Sequence, residues 1–467
     1  MTRPHLVVAA TVVATAIGLG VTTAGASSDP LFPQQWSLAQ VNAPAAWATS
    51  TGRGVDIGIV DTGVDLAHED LAAKVTASTN CIGAGGNPSA CHGSGQDDQG
   101  HGSHVSGIAA ASTGNGKGVA GTAPDARLVV AKALAANGSG SIDDINAGIR
   151  WVVDHGARVV NLSLGDPNFV FTSLLGTPLR DGIEYAWAHG AIPVLAAGNM
   201  SQFGLGSSDY GTLHAVVVGA SGRDDRVASY SSPTGNAAWA LLAPGGSNDG
   251  VPGDDVLSTY WAGGKPNSYA FLAGTSMATP HVAGALGLLL AGGLTPMDAV
   301  NRMLATVNHG VSCGSNSPGC HGRLDAAAAV AGMRLQGSAP PAAAAGGSGP
   351  APLPLVPTTE RPAPFRPPST PASVATRPSS DPAAVGPAAA AGGPDPSTAL
   401  SAVNGLAAAP NIVPDQPGAA SGAAIGRPAL RRHHHTVALG WIVLATFALL
   451  FTVALLYTRV AMTLGQR

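Results

Sequence analysis

The stretch "AGTSMATPHVAG" (residues 273–284) puts Ser276 at the head of a small-residue, apolar run with helical character. Serine is a poor nucleophile unless a base takes its proton. The nearest histidine downstream, His281, lies five residues on, about 500° of helical rotation away, so it faces elsewhere. A base must therefore come from another part of the chain. "GHGSHVSGIAA" supplies one: His101 sits between glycines just before a helix-compatible run. "IVDTGVD" supplies a carboxylate, Asp61, which closes an apolar run where an unpartnered charge is costly to bury. Hydroxyl, imidazole and carboxylate are the parts of a nucleophilic triad, the carboxylate orienting the base and stabilising its imidazolium. Asn199 ends "AAGN" and adds an amide donor suited to an oxyanion. Taken singly, each residue has a plain structural role. Asp61 could form a turn, His101 and Ser276 could cap helices, and Asn199 could take a left-handed turn. Together, in the order Asp, His, Ser, they point to acyl transfer.

Such residues need strand and helix ends to hold them. "VDIGIVDTG" (55–63), "ARLVVAKAL" (126–134), "ARVVNLSLG" (157–165), "AIPVLAAGN" (191–199) and "AVVVGAS" (215–221) are continuous apolar runs closed by glycine or polar residues. Runs of this kind suit strands covered on both faces. Between two of them, "SIDDINAGIRWVVDHG" begins with Ser141 as a cap and spaces Ile142, Ile145, Ile149 and Val152 helically, with Gly156 as the stop. The alternation predicts an α/β domain, a three-layer sandwich with a central, mostly parallel sheet, over residues 27–335.

The flanking regions read differently. Arg3 and His5 precede an apolar run to Val21, and Ala24-Gly25-Ala26 fits a signal-peptide cleavage site, giving a signal segment over 1–26. Residues 336–435 are largely Ala, Pro, Gly, Ser and Thr, a composition that cannot bury a core and predicts a disordered linker. "TVALGWIVLATFALLFTVALLY" follows without a charge, long enough to span a bilayer; the span is set at 436–458 and a cytoplasmic tail at 459–467. Arg431 and Arg432 lie on the outer side, against the positive-inside tendency, so the signal segment decides the orientation. The expected location is the cell membrane, single-pass, with the α/β domain outside the cytoplasm.

Charged residues make up only 11% of the chain, and the net charge of −4 gives no reason to expect nucleic acid as a partner. Four cysteines in an exported chain read as disulfides, and three pairings are possible. The local one, Cys81–Cys91 with Cys313–Cys320, closes two short loops. Cys91-His92 and Cys320-His321 hint at a metal site, but adjacent residues seldom bind one ion and no CxxC is present.

The segments Asp61-Thr62-Gly63, His101-Gly102-Ser103-His104-Val105-Ser106-Gly107 and Gly274-Thr275-Ser276-Met277-Ala278-Thr279-Pro280-His281 resemble the three signature blocks of subtilisin-like serine peptidases. The resemblance covers about two-thirds of the chain. It implies that Asp61 orients, His101 is the general base and acid, and Ser276 is the nucleophile. Asn199 and the Ser276 N–H would form the oxyanion hole; losing one such donor costs about 2.7–4 kcal/mol, a magnitude that comes from subtilisin itself. His104 falls on the family's second, non-catalytic histidine, and Ser103 replaces its usual threonine. Gly138, Ser139 and Gly140, with Ser163, Leu164 and Gly165, match strands that sandwich an extended peptide by main-chain bonds. The insert "DPNFVFTSLLGTPLRDG" is expected to shape the rim of the pocket for the residue before the cut, and Met200, uncharged, suggests an apolar or small preference. Asp29, Asp70 and Asn115 fall near the family's strong calcium site, oxygen ligands suited to a hard cation, although surface turns are an equal reading. No cofactor is required for the chemistry.

Members of this family usually carry a sizeable inhibitory pro-segment, yet "DPLFPQQW" begins within a few residues of the expected cleavage site. The enzyme either folds without one or is controlled from elsewhere. The order of signal, peptidase, proline-rich linker and span is similar to that of the mycosins of actinobacterial secretion systems, which raises a secretion-system partner. The motifs themselves read closer to ordinary secreted subtilases. The leading reading is a membrane-anchored serine endopeptidase acting on polypeptides; its rival is a catalytically silent binding protein that keeps the fold.

Overall fold

The computed structural model describes residues 27–164, 179–199, 211, 213–333, 399–401 and 411–413. The expected signal segment, the membrane span, the tail, Gly165, Met200 and most of the insert after Leu164 lie outside the described residues, as does the linker apart from two short strands. All described residues belong to one compact unit, while a second, Gln416–Arg467, lies outside them.

The five apolar runs become five adjacent strands. In chain order the strands are β1 (Asp56–Asp61), β2 (Val75–Asn80), β3 (Arg127–Lys132), β4 (Ser139–Ser141), β5 (Val159–Leu162), β6 (Ile192–Ala196), β7 (Val216–Ser221), β8 (Trp239–Pro244), β9 (Val256–Ala262), β10 (Lys265–Leu272), β11 (Cys320–Arg323), β12 (Ala399–Ser401) and β13 (Asn411–Val413). The main sheet has eight strands in the order β11-β8-β7-β6-β5-β1-β3-β2, and every pair in it is parallel. β9 and β10 form an antiparallel hairpin apart from it.

The helices are α1 (Trp36–Gln40), α2 (Ala43–Ala46), α3 (His101–Ala110), α4 (Ile142–Asp154), α5 (Arg180–Ala188), α6 (Thr275–Ala291), α7 (Pro296–Ala305) and α8 (Ala326–Val330). Successive strand residues point to opposite faces, which divides the core in two. Ile57 and Ile59 of β1 pack with α3 and α6, through Val105, Ile108, Val282 and Leu286. Val60 packs on the other face with Ile145, Ile149 and Val152 of α4 and Ile183 of α5. The result is the expected three-layer arrangement. Ser141 caps α4, its side chain accepting from Asp144 N at 3.1 Å.

α6 is apolar all round and buried from Thr275 to Leu290, so it is the core helix behind the sheet rather than a surface one. Among the described residues no single helix is long and apolar enough to cross a membrane. Both disulfides take the local pairing, Cys81–Cys91 and Cys313–Cys320. No cysteine is left over for a metal.

Candidate active site

The carboxyl ends of β1, β5 and β6 and the amino ends of α3 and α6 meet in one place, the edge of a parallel sheet where ligands usually bind. Asp61 is the last residue of β1 and His101 the first of α3. The turn between strand and helix is tight: a Cβ on Gly102 would lie 2.0 Å from the Gly63 carbonyl oxygen, so only glycine lets α3 begin there. Asp61 Oδ1 and His101 Nδ1 are 2.8 Å apart, both side chains buried, and Thr62 N donates to the same oxygen at 2.7 Å. His101 Nε2 is buried with no partner. An imidazole held by Nδ1 to a carboxylate carries its proton there and presents Nε2 as a base. Burial pushes the His101 pKa down, but the Asp61 charge and hydrogen bond and the Asp97 charge outweigh it, leaving the net value raised.

Asp97 is a site residue that the sequence reading missed. Its Oδ1 accepts from Thr62 Oγ1 (2.9 Å), Gln99 N (3.0 Å) and Gly100 N (2.9 Å), and its Oδ2 from Ser103 N (2.9 Å) and Ser103 Oγ (2.6 Å). One buried carboxylate thus ties the turn after β1 to the residues on either side of His101. Ser103 keeps the hydroxyl that this network needs, accepting in turn from Asp65 N at 2.8 Å. Lys132, also missed, is buried beneath the turn and donates to Thr62 O, Leu134 O and Asp98 Oδ1. The acidic cluster in "QDDQGHG" was the available signal, but nothing in it distinguishes Asp97 from Asp98.

Ser276 is the second residue of α6. Its Oγ donates to Ser163 O at 3.3 Å, a long bond that leaves the hydroxyl easily diverted. Pro280 is the sixth residue of the helix, past the first turn, and has no N–H for the Ser276 carbonyl four residues back. Ser163 Oγ fills that place, donating to Ser276 O at 2.8 Å. The proline therefore frees the carbonyl that fastens α6 to the end of β5. Asn199 Oδ1 accepts from Thr275 N and Thr275 Oγ1, each at 2.9 Å, which directs Nδ2 the other way. The position of a Cβ on Gly274 would be 3.4 Å from Asn199 Nδ2 and 3.7 Å from Ser276 N, so the amide nitrogen and the backbone N–H lie on the same side of Gly274.

The two spare histidines are structural. His104 Nε2 meets Ala270 O at 2.9 Å, and burial pushes its pKa down to about 3. His281 Nδ1 meets Met277 O at 2.8 Å, and burial lowers its pKa to about 4. Of the expected peptide-binding residues, Gly138 turns the chain into β4, which contains Ser139 and Gly140, and Ser163 and Leu164 follow β5.

Asp29, Asp70 and Asn115 also come together. Asp29 accepts from Gly114 N and Gly116 N at 2.8 and 3.0 Å. Asp70 Oδ1 accepts from Asn115 Nδ2 at 2.8 Å, and Oδ2 from Val119 N and Tyr269 Oη, both at 3.0 Å. Burial pushes the Asp70 pKa up against these bonds. Among the described residues no group of three or more His, Cys, Asp or Glu side chains is assembled for a metal.

The subtilase family model matches residues 52–322. Thermitase of Thermoactinomyces vulgaris is 37% identical over 267 residues, covering 57% of this chain and 86% of thermitase. Subtilisin Savinase of Lederbergia lenta is 39% identical over 257 residues, covering 54% of this chain and 83% of that protein. A thermophilic serine proteinase of a Bacillus species is 38% identical over 250 residues but is matched over only 55% of its length. Among solved structures, a protease of Pseudoalteromonas arctica superposes with a TM-score of 0.55 at 31% identity, covering 65% of this chain and 98% of that one.

Proposed function

The chain belongs to the subtilase family and is a serine endopeptidase; on that premise we propose that Asp61, His101 and Ser276 are its triad and that it works outside the cytoplasm. Ser276 Oγ attacks the scissile carbonyl carbon while His101 Nε2 takes its proton. Asp61 holds the imidazolium through Nδ1–H. The carbonyl oxygen, now an oxyanion, is met by Asn199 Nδ2 and the Ser276 N–H. His101 then hands its proton to the leaving amine, and water repeats the sequence to release the acyl group. The peptide lies extended along Ser139–Gly140 and Ser163–Leu164 through main-chain bonds.

The observation that carries this reading is the 2.8 Å Asp61–His101 bond with Nε2 buried and unpartnered. A fluorophosphonate probe tests it. Wild-type protein should be labelled and Ser276→Ala should not. A folded wild type that takes no label would leave the silent binding protein as the better reading.

Asp29, Asp70 and Asn115 would hold a structural calcium. Two members of the set are buried carboxylates and none of the described salt bridges involves either one, while Asn115, whose Oδ1 accepts from Lys117 N, would turn that oxygen to the ion. A bound cation would fix the loop at 114–119 and takes no part in the chemistry. The signal-like 1–26 and the uncharged 436–458 support a peptidase anchored by one helix and facing outward. Protease added to intact cells should then release a soluble peptidase fragment; a domain that stays protected together with cytoplasmic markers would refute that orientation.

A further inference from the structure

Two strands from the far C-terminal part of the compact unit return to the catalytic domain. β12 runs antiparallel to β4, with Ala399 opposite Ser141, Leu400 opposite Gly140 and Ser401 opposite Ser139. β13 runs antiparallel to β10, with Asn411 opposite Phe271, Ile412 opposite Ala270 and Val413 opposite Tyr269. β4 contains Ser139 and Gly140, the edge proposed above for extended peptide. β10 leads through Ala273 and Gly274 directly into Thr275 and Ser276. One stretch of chain therefore adds a strand to the peptide edge and another to the strand that delivers the nucleophile.

The sequence supports this placement independently. Residues 397–409 are the longest proline-free run between 338 and 429, a region otherwise broken by proline every few residues. Proline has no N–H to give to a ladder, so a strand from this region can form only where proline is missing. β12 falls inside that run, and β13 fits between Pro410 and Pro414. β4 is well placed to receive a strand, because it is fixed against the domain. A Cβ on Gly140 would lie 2.3 Å from Ala133 O and 2.8 Å from Leu134 Cδ2.

We propose that residues 399–401 occupy the peptide-binding edge of their own chain, holding the enzyme in a self-occupied state that an extended polypeptide must displace. The proposal rests on the peptide-edge and triad reading given above, and it supplies control from within the chain. Main-chain pairing to β4 is indifferent to side-chain identity, so a segment of this chain and a substrate compete for the same bonds. Three residues would bind too weakly as a separate peptide. Covalent attachment changes that, because a tethered ligand acts at a high effective concentration. An internal competitor reduces the fraction of enzyme able to bind substrate and leaves the bound complex unaltered. The apparent KM therefore rises while kcat is unchanged.

The test compares the purified full chain with Leu400→Pro, which places a proline in the middle of β12 and touches no residue of the catalytic machinery. Hydrolysis of a short chromogenic peptide should show KM lowered about threefold or more in the variant at unchanged kcat, the factor by which a mostly self-occupied edge is freed. A synthetic peptide spanning residues 395–415, added to the variant, should raise KM again. Equal KM in the two proteins, with no inhibition by the peptide, overturns self-occupation. Fluorophosphonate labelling separates the two levels. If both proteins are labelled and their KM values are equal, the triad stands and self-occupation falls. If neither is labelled, the triad reading fails and takes this inference with it.

Discussion

The two halves of the cleft are held in different ways. On the acid–base side, Asp61, Thr62, Asp97, Ser103 and His101 are joined through side-chain hydrogen bonds, most of them charge-assisted. On the nucleophile side, Ser276 Oγ has one long bond to a backbone carbonyl, and the fastening is done around it by Ser163 and Thr275. The difference follows from the work each half does. A base must hold one tautomer and one ring orientation before substrate arrives, so its surroundings are fixed in advance. In the proposed mechanism the Ser276 hydroxyl must turn toward His101 Nε2 when a peptide enters, so only its helix is fixed.

Deleting a group from each half tests that contrast. Ser276→Ala should have the largest effect, a fall in kcat of about 10⁶-fold, measured as initial peptide hydrolysis on protein whose fold is checked by circular dichroism. A loss of less than about tenfold would mean the nucleophile lies elsewhere. Asn199→Leu removes one oxyanion donor and should lower kcat about 10²–10³-fold with little change in KM. A change mainly in KM would mean that Asn199 binds the ground state rather than the transition state.

The same contrast governs how much could be read from the sequence. The five central strands were legible because a parallel strand buried on both faces is an unbroken apolar run. β2, "VTASTN", was not, since it lies at the sheet edge and is only half-buried. The β9–β10 hairpin was also missed: its turn, Gly263-Gly264, is plain enough, but the strands mix polar and apolar residues in no single pattern. β11, "CHGR", has no strand character of its own and is placed by pairing with β8. Asp61, His101, Ser276 and Asn199 stood out as candidates because their chemistry is rare and their flanking residues distinctive. Asp97 did not, and neither did the fastening roles of Ser163 and Thr275, because each acts on a residue far along the chain: Asp97 on Thr62, Ser163 on Ser276 and Thr275 on Asn199. Ordinary hydrogen bonds between distant residues leave no local pattern.

Asp97 sharpens the comparison, since it acts through its neighbours. Asp97→Asn keeps the size of the side chain but loses its charge and half of its acceptor capacity. We expect kcat to fall about tenfold, equivalent to ~1.4 kcal/mol, with KM nearly unchanged. A purely structural role would stop there. The Asp97 charge also helps to raise the His101 pKa, and in the proposed mechanism His101 must be neutral to act as the base. Removing the charge should therefore move the acid limb of the kcat/KM profile to lower pH. An acid limb that stays in place would reduce Asp97 to a scaffold residue.

The smallest effect concerns stability, and here the halves should behave alike. α3 carries His104 and α6 carries His281, and burial lowers both pKa values, to about 3 and about 4. In the unfolded chain each takes a proton near pH 6.5, while in the folded protein each stays neutral. Below pH 6.5 the unfolded state therefore binds more protons, and folding stability falls with pH by up to about 1.4 kcal/mol per unit for each residue. His101 works in the opposite sense. Its folded pKa is raised, so its contribution is complete below 6.5 and is lost only as pH rises through that higher value. Asp70 and Asp255, pushed up by burial, work against the two histidines, adding stability as pH falls. The contribution of His104 and His281 is read over the interval from about pH 5 to 6.5. Urea unfolding of the Ser276→Ala protein, which cannot digest itself, should show midpoints falling steadily across that interval. His281→Gln should remove about half of the slope. A flat midpoint would mean that both imidazoles are protonated in place, and the two helices would then owe nothing to neutral buried histidines.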